Sequence, residues 1–374
     1  FSDKAQKLRN AIVEDGRFSK AVNFEQYQVF NDASITSGVF IFNREHSGIK
    51  AAVFKEKSCS VDTVVDFMNN DKNYFSVTLK PDTVFALVDE GLAKLNRKID
   101  GYQAENGPHP LLRDVFMVGK GMETAANDVF LFREYPAQFP AEYIKKRLVG
   151  ENISPYYLED KPGYLLYFEN VADFKDLPES IQNHLKANRK ILQKRATVKN
   201  EGRIWWRYSR PMHKEYYRLP KIWCSYRSKS NAFVLDESND YIGLTNTTVI
   251  FGTNQNLSLK YLTALLNSKL FRWRYRSLAK QTGGGVFEYV PNALGRFPVP
   301  AFDPANAADK TAHDNFAALV DKIMELKKRE HAEPNPQLKT ALSRQAGAVE
   351  KRIDEAVYKL YGLTEEEIEA VEKA

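Results

Sequence analysis

"YLTALLNSKLFRWRYRSLAKQTGGGVFEYVPNALGRFPVP" occupies residues 261–300. With Leu259 just before it, Leu262, Leu266 and Leu270 fall three and four apart, so the first half reads as a helix with one apolar face. Lys280 and Gln281 then lead into Gly283–Gly285, which reads as a flexible loop. "VPNALGRFPVPAFDP", residues 290–304, carries four prolines, which break helices and central strands, so it closes a domain.

Just upstream, residues 203–229 read "RIWWRYSRPMHKEYYRLPKIWCSYRSK", with eight Lys or Arg, seven Trp or Tyr, and one acid, Glu215. A solvated helix face explains the charge but not the rings, and a buried strand explains the rings but not the charge. Nucleic-acid binding uses both. Net charge is only +6, yet residues 186–229 hold fourteen Lys or Arg against Glu201 and Glu215, which makes that window +12 and the remainder −6. A second acid-free cluster runs from Lys260 to Lys280. Such local excess attracts polyanions. The candidate nucleic-acid-binding residues are Arg203, Arg207, Arg210, Lys214, Arg218, Lys221, Arg227, Lys229, Arg276, Lys280 and Gln281. Lys and Arg neutralise phosphates, and a few Arg, Lys or Gln side chains read base edges. Trp206 and Tyr208 can pack on sugars or bases, although core packing is the commoner use of such rings. A basic surface that binds nothing is the plain alternative.

The 374 residues suffice for two or three domains, and 43% apolar with 27% charged content is ordinary for a soluble fold. No apolar run reaches the length of a membrane span and no signal peptide is visible, so the expected location is the cytoplasm. Cys59 and Cys224 form no disulfide framework, and the six scattered histidines show no metal-ligand spacing. Residues 1–16 read as a helix ended by Gly16, 28–45 as two short strands, 49–56 as their partner, 60–71 as a helix and 83–99 as a longer one. Two Gly and two Pro in 101–110 mark a boundary. Short strands follow in 114–132, 164–171 and 221–238, around a basic helix at 178–197. Apolar stripes at 316–326 and 338–360, split by a Pro-marked turn, give a helical hairpin, and Thr364 with Glu367 starts a last helix as a capping box.

Catalytic signatures are missing. There is no Asn/Asp-Pro-Pro-aromatic loop, no P-loop and no Gly-x-Ser-x-Gly elbow. "GKG" at 119–121 reads as a loop, and Asp82, Asp89, Glu90 and Lys94 lack the acid-any-Lys ending of a metal nuclease.

Residues 261–300 resemble the end of the target-recognition domain of TaqI-type adenine DNA methyltransferases and fused type IIG restriction-modification enzymes. The resemblance rests on Leu266-Asn267-Ser268, Gly283–Gly285, Phe287, and the closing Leu294 through Pro298 to Pro300. Type I specificity subunits share the closing element. "LRDVFMVGKGMETAANDVFLF" is similar to the opening of that domain. Gly150-Glu151-Asn152-Ile153 is similar to its Gly-Arg-any-Ile element, with Glu151 where Arg is usual. Upstream strands are similar to the tail of the methyltransferase domain, and "IDEAVYKLYGLTEEEIEAVE" to the C-terminal helices of type IIG enzymes.

The resemblance implies an α+β chain in three parts. Residues 1–107 form the tail of a methyltransferase α/β domain with linker helices, 108–305 a mixed α/β target-recognition domain, and 306–374 the helical hairpin. It implies double-stranded DNA as partner, and a catalytic domain upstream of Phe1 that methylates adenine N6 with S-adenosylmethionine, with or without a fused endonuclease. This chain itself is expected to hold no cofactor, metal or catalytic centre. The alternatives are an RNA or single-strand binding protein, or a protein-interaction module that self-associates through 306–374.

Overall fold

The computed structural model describes residues 5–25, 27–30, 37–43, 48–79, 81, 87, 89–102, 107–161, 163–212, 214–238, 240–252, 257–282, 285–303 and 305–373. The fold is α+β, with several small sheets and a C-terminal helical region.

The first body is a four-stranded sheet in the order Ser37–Phe42, Phe18–Phe24, Ile49–Phe54, Phe75–Val77. Its strands Phe18–Phe24 and Ile49–Phe54 are packed on both faces, while the edge strand Ser37–Phe42 leaves Phe40, Ile41 and Phe42 exposed. Phe18, Ala21 and Ala51 pack with Ile12 of the helix Gln6–Asp15, while Val22, Phe24, Ala52 and Phe54 pack with Val64, Phe67 and Met68 of the helix Val61–Asn69. Two expectations are corrected here. The strand before Ser37–Phe42 is Phe18–Phe24, not 28–30, and Ile49–Phe54 pairs with it in parallel instead of forming a hairpin with Ser37–Phe42. Residues 83–86 of the expected longer helix lie outside the described residues; the observed helix is Glu90–Ile99, capped by Asp89, whose side chain accepts from Leu92 N at 3.0 Å.

The centre of the molecule is a second sheet in the order Phe233–Asp236, Lys221–Ser225, Thr247–Phe251, Met117–Lys120. Three of its strands, Phe233–Asp236, Lys221–Ser225 and Thr247–Phe251, are buried on both faces and so show no polar–apolar alternation, while the edge strand Met117–Lys120 is partly exposed. Alternate residues serve different cores. Ile222, Cys224, Phe233, Leu235 and Ile250 face the helical side, while Trp223, Val234, Val249 and Phe251 face an aromatic lobe. "GKG" is not a loop: Gly119 and Lys120 lie in the strand, and Gly121 N donates to Thr247 O at 3.0 Å. A Cβ on Gly121 would sit 2.0 Å from Leu244 O, which explains the glycine. The closing segment returns to the opening one, with Leu112 N donating to Phe297 O at 2.8 Å and Val299 N to Pro110 O at 2.9 Å.

On the helical side the expected single helix over 256–278 is two, Leu259–Asn267 and Lys269–Tyr275. Ser268 leaves helical geometry and its Oγ accepts from Phe271 N at 3.1 Å, so it caps the second helix. The hairpin Ala307–Ala332 and Pro336–Leu360 lies where its stripes place it, followed by Glu365–Glu372 with the Thr364–Glu367 capping box. Its seam is not open: Phe316, Leu319, Val320, Ile323, Leu342, Val349 and Ile353 share one buried core with Leu262, Leu266 and Leu270. The helix Glu90–Ile99 joins that core through Leu95 and Ile99, and Asp100 takes both Nε and Nη2 of Arg274 at 3.0 Å.

Asp354 is buried in this region, where its Oδ1 accepts from Lys269 N at 2.8 Å, and burial pushes its carboxyl up to about 6. A raised folded-state pKa means that the folded chain binds the proton more tightly, so stability falls as pH rises from about 4 to about 6. Asp354→Asn keeps the acceptor and removes the charge. The variant is expected to be more stable at pH 7.5 by up to about 3 kcal/mol, with the wild-type difference between pH 5 and 7.5 correspondingly reduced, as read by urea melts.

Candidate nucleic-acid interface

The basic stretch divides its two residue types. The rings go inward: Trp206, Tyr208, Tyr216, Tyr217 and Trp223 are all buried in the aromatic lobe. Tyr208 Oη donates to Leu166 O at 2.6 Å, and Trp223 Nε1 to Asp236 Oδ2 at 3.0 Å. Trp205 stays half-buried, with the Arg189 guanidinium 5.0 Å from its ring.

The cations fare differently from one another. Lys221 is fully buried, donating to Leu219 O at 3.1 Å and Ser238 O at 2.9 Å, with Asp236 Oδ2 at 3.6 Å. It cannot reach a polyanion and is corrected from ligand contact to core anchor. Arg207 lies against the Trp206 ring at 4.1 Å and donates to Ala172 O at 2.8 Å and to Val171 O, so it ties two segments together. Arg210 and Arg203 share Glu201: Arg210 is bidentate at 2.7 and 2.6 Å, Arg203 Nε sits at 3.3 Å, and these bonds hold the carboxyl down to about 2. Arg218 is exposed at a cavity of about 340 Å³ beside Tyr167 and Tyr217, apart from the rest. Arg276 is half-buried; burial and Arg272 push its guanidinium below the ordinary arginine range, and Glu25 opposes them. The Lys214 side chain lies outside the described residues, as do Gly283 and Gly284.

Four candidates do come together. A three-stranded sheet, Arg227–Ser228, Val286–Glu288 and Gln281–Thr282, joins two segments distant in sequence: Arg227 lies on one outer strand, Gln281 on the other with Lys280 just before it, and Lys229 one residue past Ser228. Glu288 partly neutralises it, taking Arg227 Nε at 3.0 Å and Nη2 at 2.6 Å, with Lys280 Nζ at 4.0 Å. Lys229 is exposed. Lys120, which the sequence did not single out, adds a cation 4.8 Å from the Tyr226 ring.

The second basic surface is the expected helix over 178–197, which is broken into Glu179–Ala187, Arg189–Gln193 and Ala196–Glu201. The break follows Arg195, which turns inward and donates to Leu192 O, Thr124 O and Trp205 O at 3.0, 2.9 and 2.6 Å. Lys186, Arg189, Lys190, Lys194 and Lys199 all remain exposed, and among the described residues none has an ion-pair partner. The signal for them was present, since residues 186–200 contain no acid. The two surfaces are linked through 120–123: Lys120 lies on Tyr226, and Glu123 exchanges backbone bonds with Arg210 at 2.8 and 2.9 Å.

The chemistry of these exposed cations suits a large anion. Among the described residues no group of His, Cys, Asp or Glu could hold a metal ion, and no helix is long and apolar enough to cross a membrane.

Comparison with known proteins places the chain among restriction-modification sequences and folds. Residues 145–299 match the family model described as the TaqI-like C-terminal specificity domain. The type II restriction enzyme and methyltransferase RM.Eco57I of Escherichia coli is 20% identical, over 87% of this chain and 36% of that protein. The type IIL restriction-modification enzyme MmeI, solved in complex with DNA, shares the fold at a TM-score of 0.58 and 12% identity, over 97% of this chain and 45% of that one. The type IIG restriction endonuclease BpuSI aligns at a TM-score of 0.40 and 12% identity, over 96% and 46%. The chain therefore spans 36% of the length of the curated relative that it matches.

Proposed function

We propose that this chain, which carries a TaqI-like C-terminal specificity domain, reads a short sequence in double-stranded DNA for a type II restriction-modification enzyme. The observation that carries the reading is the set of five exposed cations on 186–199, none of them with an ion-pair partner among the described residues, with Arg189 over the Trp205 ring. It is supported by the fold shared with MmeI, which was solved with DNA bound. In this reading the broken helix neutralises backbone phosphates, and the three-stranded sheet presents Arg227, Lys229, Lys280 and Gln281 to base edges. Gln suits adenine N6 and N7, and Arg suits guanine O6 and N7. The parent enzyme methylates adenine N6 with S-adenosylmethionine in a domain upstream, of which the first sheet is the tail, and it works in the cytoplasm, where Cys59 and Cys224 stay free thiols. Self-association through 306–374 would use the outer face of the hairpin, since the seam is filled.

The test is selection from a randomised duplex pool at two salt concentrations. A short enriched motif, with retention falling as salt rises, is the expected result; retention without a motif, or stronger competition by RNA than by duplex, refutes it. Replacing Lys190, Lys194 and Lys199 by Ala is expected to flatten the plot of log affinity against log salt by about 2 to 3 and to leave the motif intact. Replacing Gln281 by Ala is expected to relax one position of the motif.

A further inference from the structure

Behind the strand Ile144–Leu148 lies a cavity of about 370 Å³ lined by Arg133, Arg147, Val149, Glu151, Asn152 and Lys161. Arg147 is half-buried, and its Nε is buried without a hydrogen-bond partner. A guanidinium offers five donors in a fixed fork, and leaving them unmet away from water is costly. Neither Arg147 nor the exposed Arg133 has an ion-pair partner among the described residues. Gly163 makes room for the fork, since a Cβ there would stand 2.9 Å from Arg147 Nε. Asn152 is spent on the wall, accepting from Val149 N at 2.9 Å and donating to Glu159 O at 3.0 Å.

We infer that this cavity is an anion seat that takes one phosphate, with Arg147 as its central donor. The charge balance selects the kind of phosphate. Arg133, Arg147 and Lys161 face two carboxylates, Glu151 on the lining and Glu159, which holds Lys161 Nζ at 3.0 Å, leaving one positive charge in excess. That balance suits the single charge of a phosphodiester and disfavours the second charge of a phosphate monoester or of inorganic phosphate near neutral pH. The source assigned is therefore the nucleic-acid backbone. This inference rests on the duplex-DNA reading above, and it adds to that reading a phosphate contact outside the two basic surfaces.

The experiment is fluorescence anisotropy with a labelled duplex over a salt series, using the whole chain as wild type, Arg147→Met and Glu151→Gln, with inorganic phosphate as competitor at matched ionic strength. Arg147→Met is expected to lose about threefold to tenfold in affinity and about 0.9 in salt slope, the effect of one phosphate contact. Glu151→Gln, which removes the repelling carboxylate and leaves the cations in place, is expected to bind duplex more tightly and to become more sensitive to inorganic phosphate. If wild type binds duplex and Arg147→Met matches it in affinity and slope, the seat is refuted while the duplex-DNA reading stands. Should wild type fail to bind duplex at all, that reading falls first. If inorganic phosphate stabilises wild type but not Arg147→Met, with duplex binding unchanged between them, the diester assignment is overturned. Should Arg147→Met not fold, Glu151→Gln still decides: unchanged or weaker duplex binding counts against the seat.

Discussion

Ending the chain after residue 305 is expected to abolish soluble expression. The hairpin reads in the sequence as an extension, but in the fold it is a wall of the main core. Phe316, Val320, Ile323, Ala346, Ile353 and Val357 are buried against the apolar sides of Leu259–Asn267 and Lys269–Tyr275. Cutting it away exposes Tyr261, Leu262, Leu266, Leu270 and Phe271, each of which is now fully buried. At about 1.5–3 kcal/mol per large apolar side chain, that exposure rivals the whole stability of a typical domain, about 5–15 kcal/mol. Asp354 would also leave, and with it the acceptor at Lys269 N. A truncated chain that is soluble, with a sharp cooperative melt near that of wild type, would show the hairpin to be an independent appendage.

The second large effect is at Lys221. Lys221→Ala removes a cation from a fully buried position, stranding Asp236 and the carbonyls of Leu219 and Ser238. Asp236 keeps Trp223 Nε1 at 3.0 Å and Ser238 Oγ at 2.7 Å, but its charge loses the only cation within ion-pair distance among the described residues. Breaking a buried pair from one side costs about 3–5 kcal/mol. Lys221→Met is expected to be nearly as damaging, because the lone carboxylate remains, whereas Lys221→Met with Asp236→Asn recovers most of the loss. A double-mutant cycle in urea midpoints measures the coupling. Equal stability in all four proteins would mean that the pair carries no weight. Where the Lys221 variants remain folded, the salt slope for DNA is expected to be unchanged, because Lys221 does not face solvent.

These two sites show what the sequence could and could not convey. The hairpin was legible because its order is local: stripes at spacing three and four, a Pro-marked turn and the Thr364–Glu367 box all lie within a few residues of what they determine. The break at Ser268 was hidden because Leu262, Leu266 and Leu270 keep one periodicity across it, and only the cap geometry reveals it. The first strand, Phe18–Phe24, was missed because it is packed on both faces and shows no clean alternation. Within the candidate interface the excess of charge was visible, but its pairing was not. Lys221 meets Asp236, Arg227 meets Glu288 and Arg210 meets Glu201 only after folding. Among the described residues, Lys186, Arg189, Lys190, Lys194 and Lys199 stay exposed with no ion-pair partner, on a run where no carboxylate is near in sequence.

The central sheet constrains how this protein can diverge. Because successive residues along each strand belong to different cores, a substitution at Ile222, Cys224, Leu235 or Ile250 can be compensated only from the helical side, among residues such as Leu262, Leu266 and Phe271. A substitution at Trp223, Val234 or Val249 must be answered from the lobe, among residues such as Phe130, Leu166 and Tyr216. Among relatives, odd and even positions of one strand should therefore drift as two independent lineages. The aromatic lobe can then repack while the framework behind the sheet retains its ancestral packing.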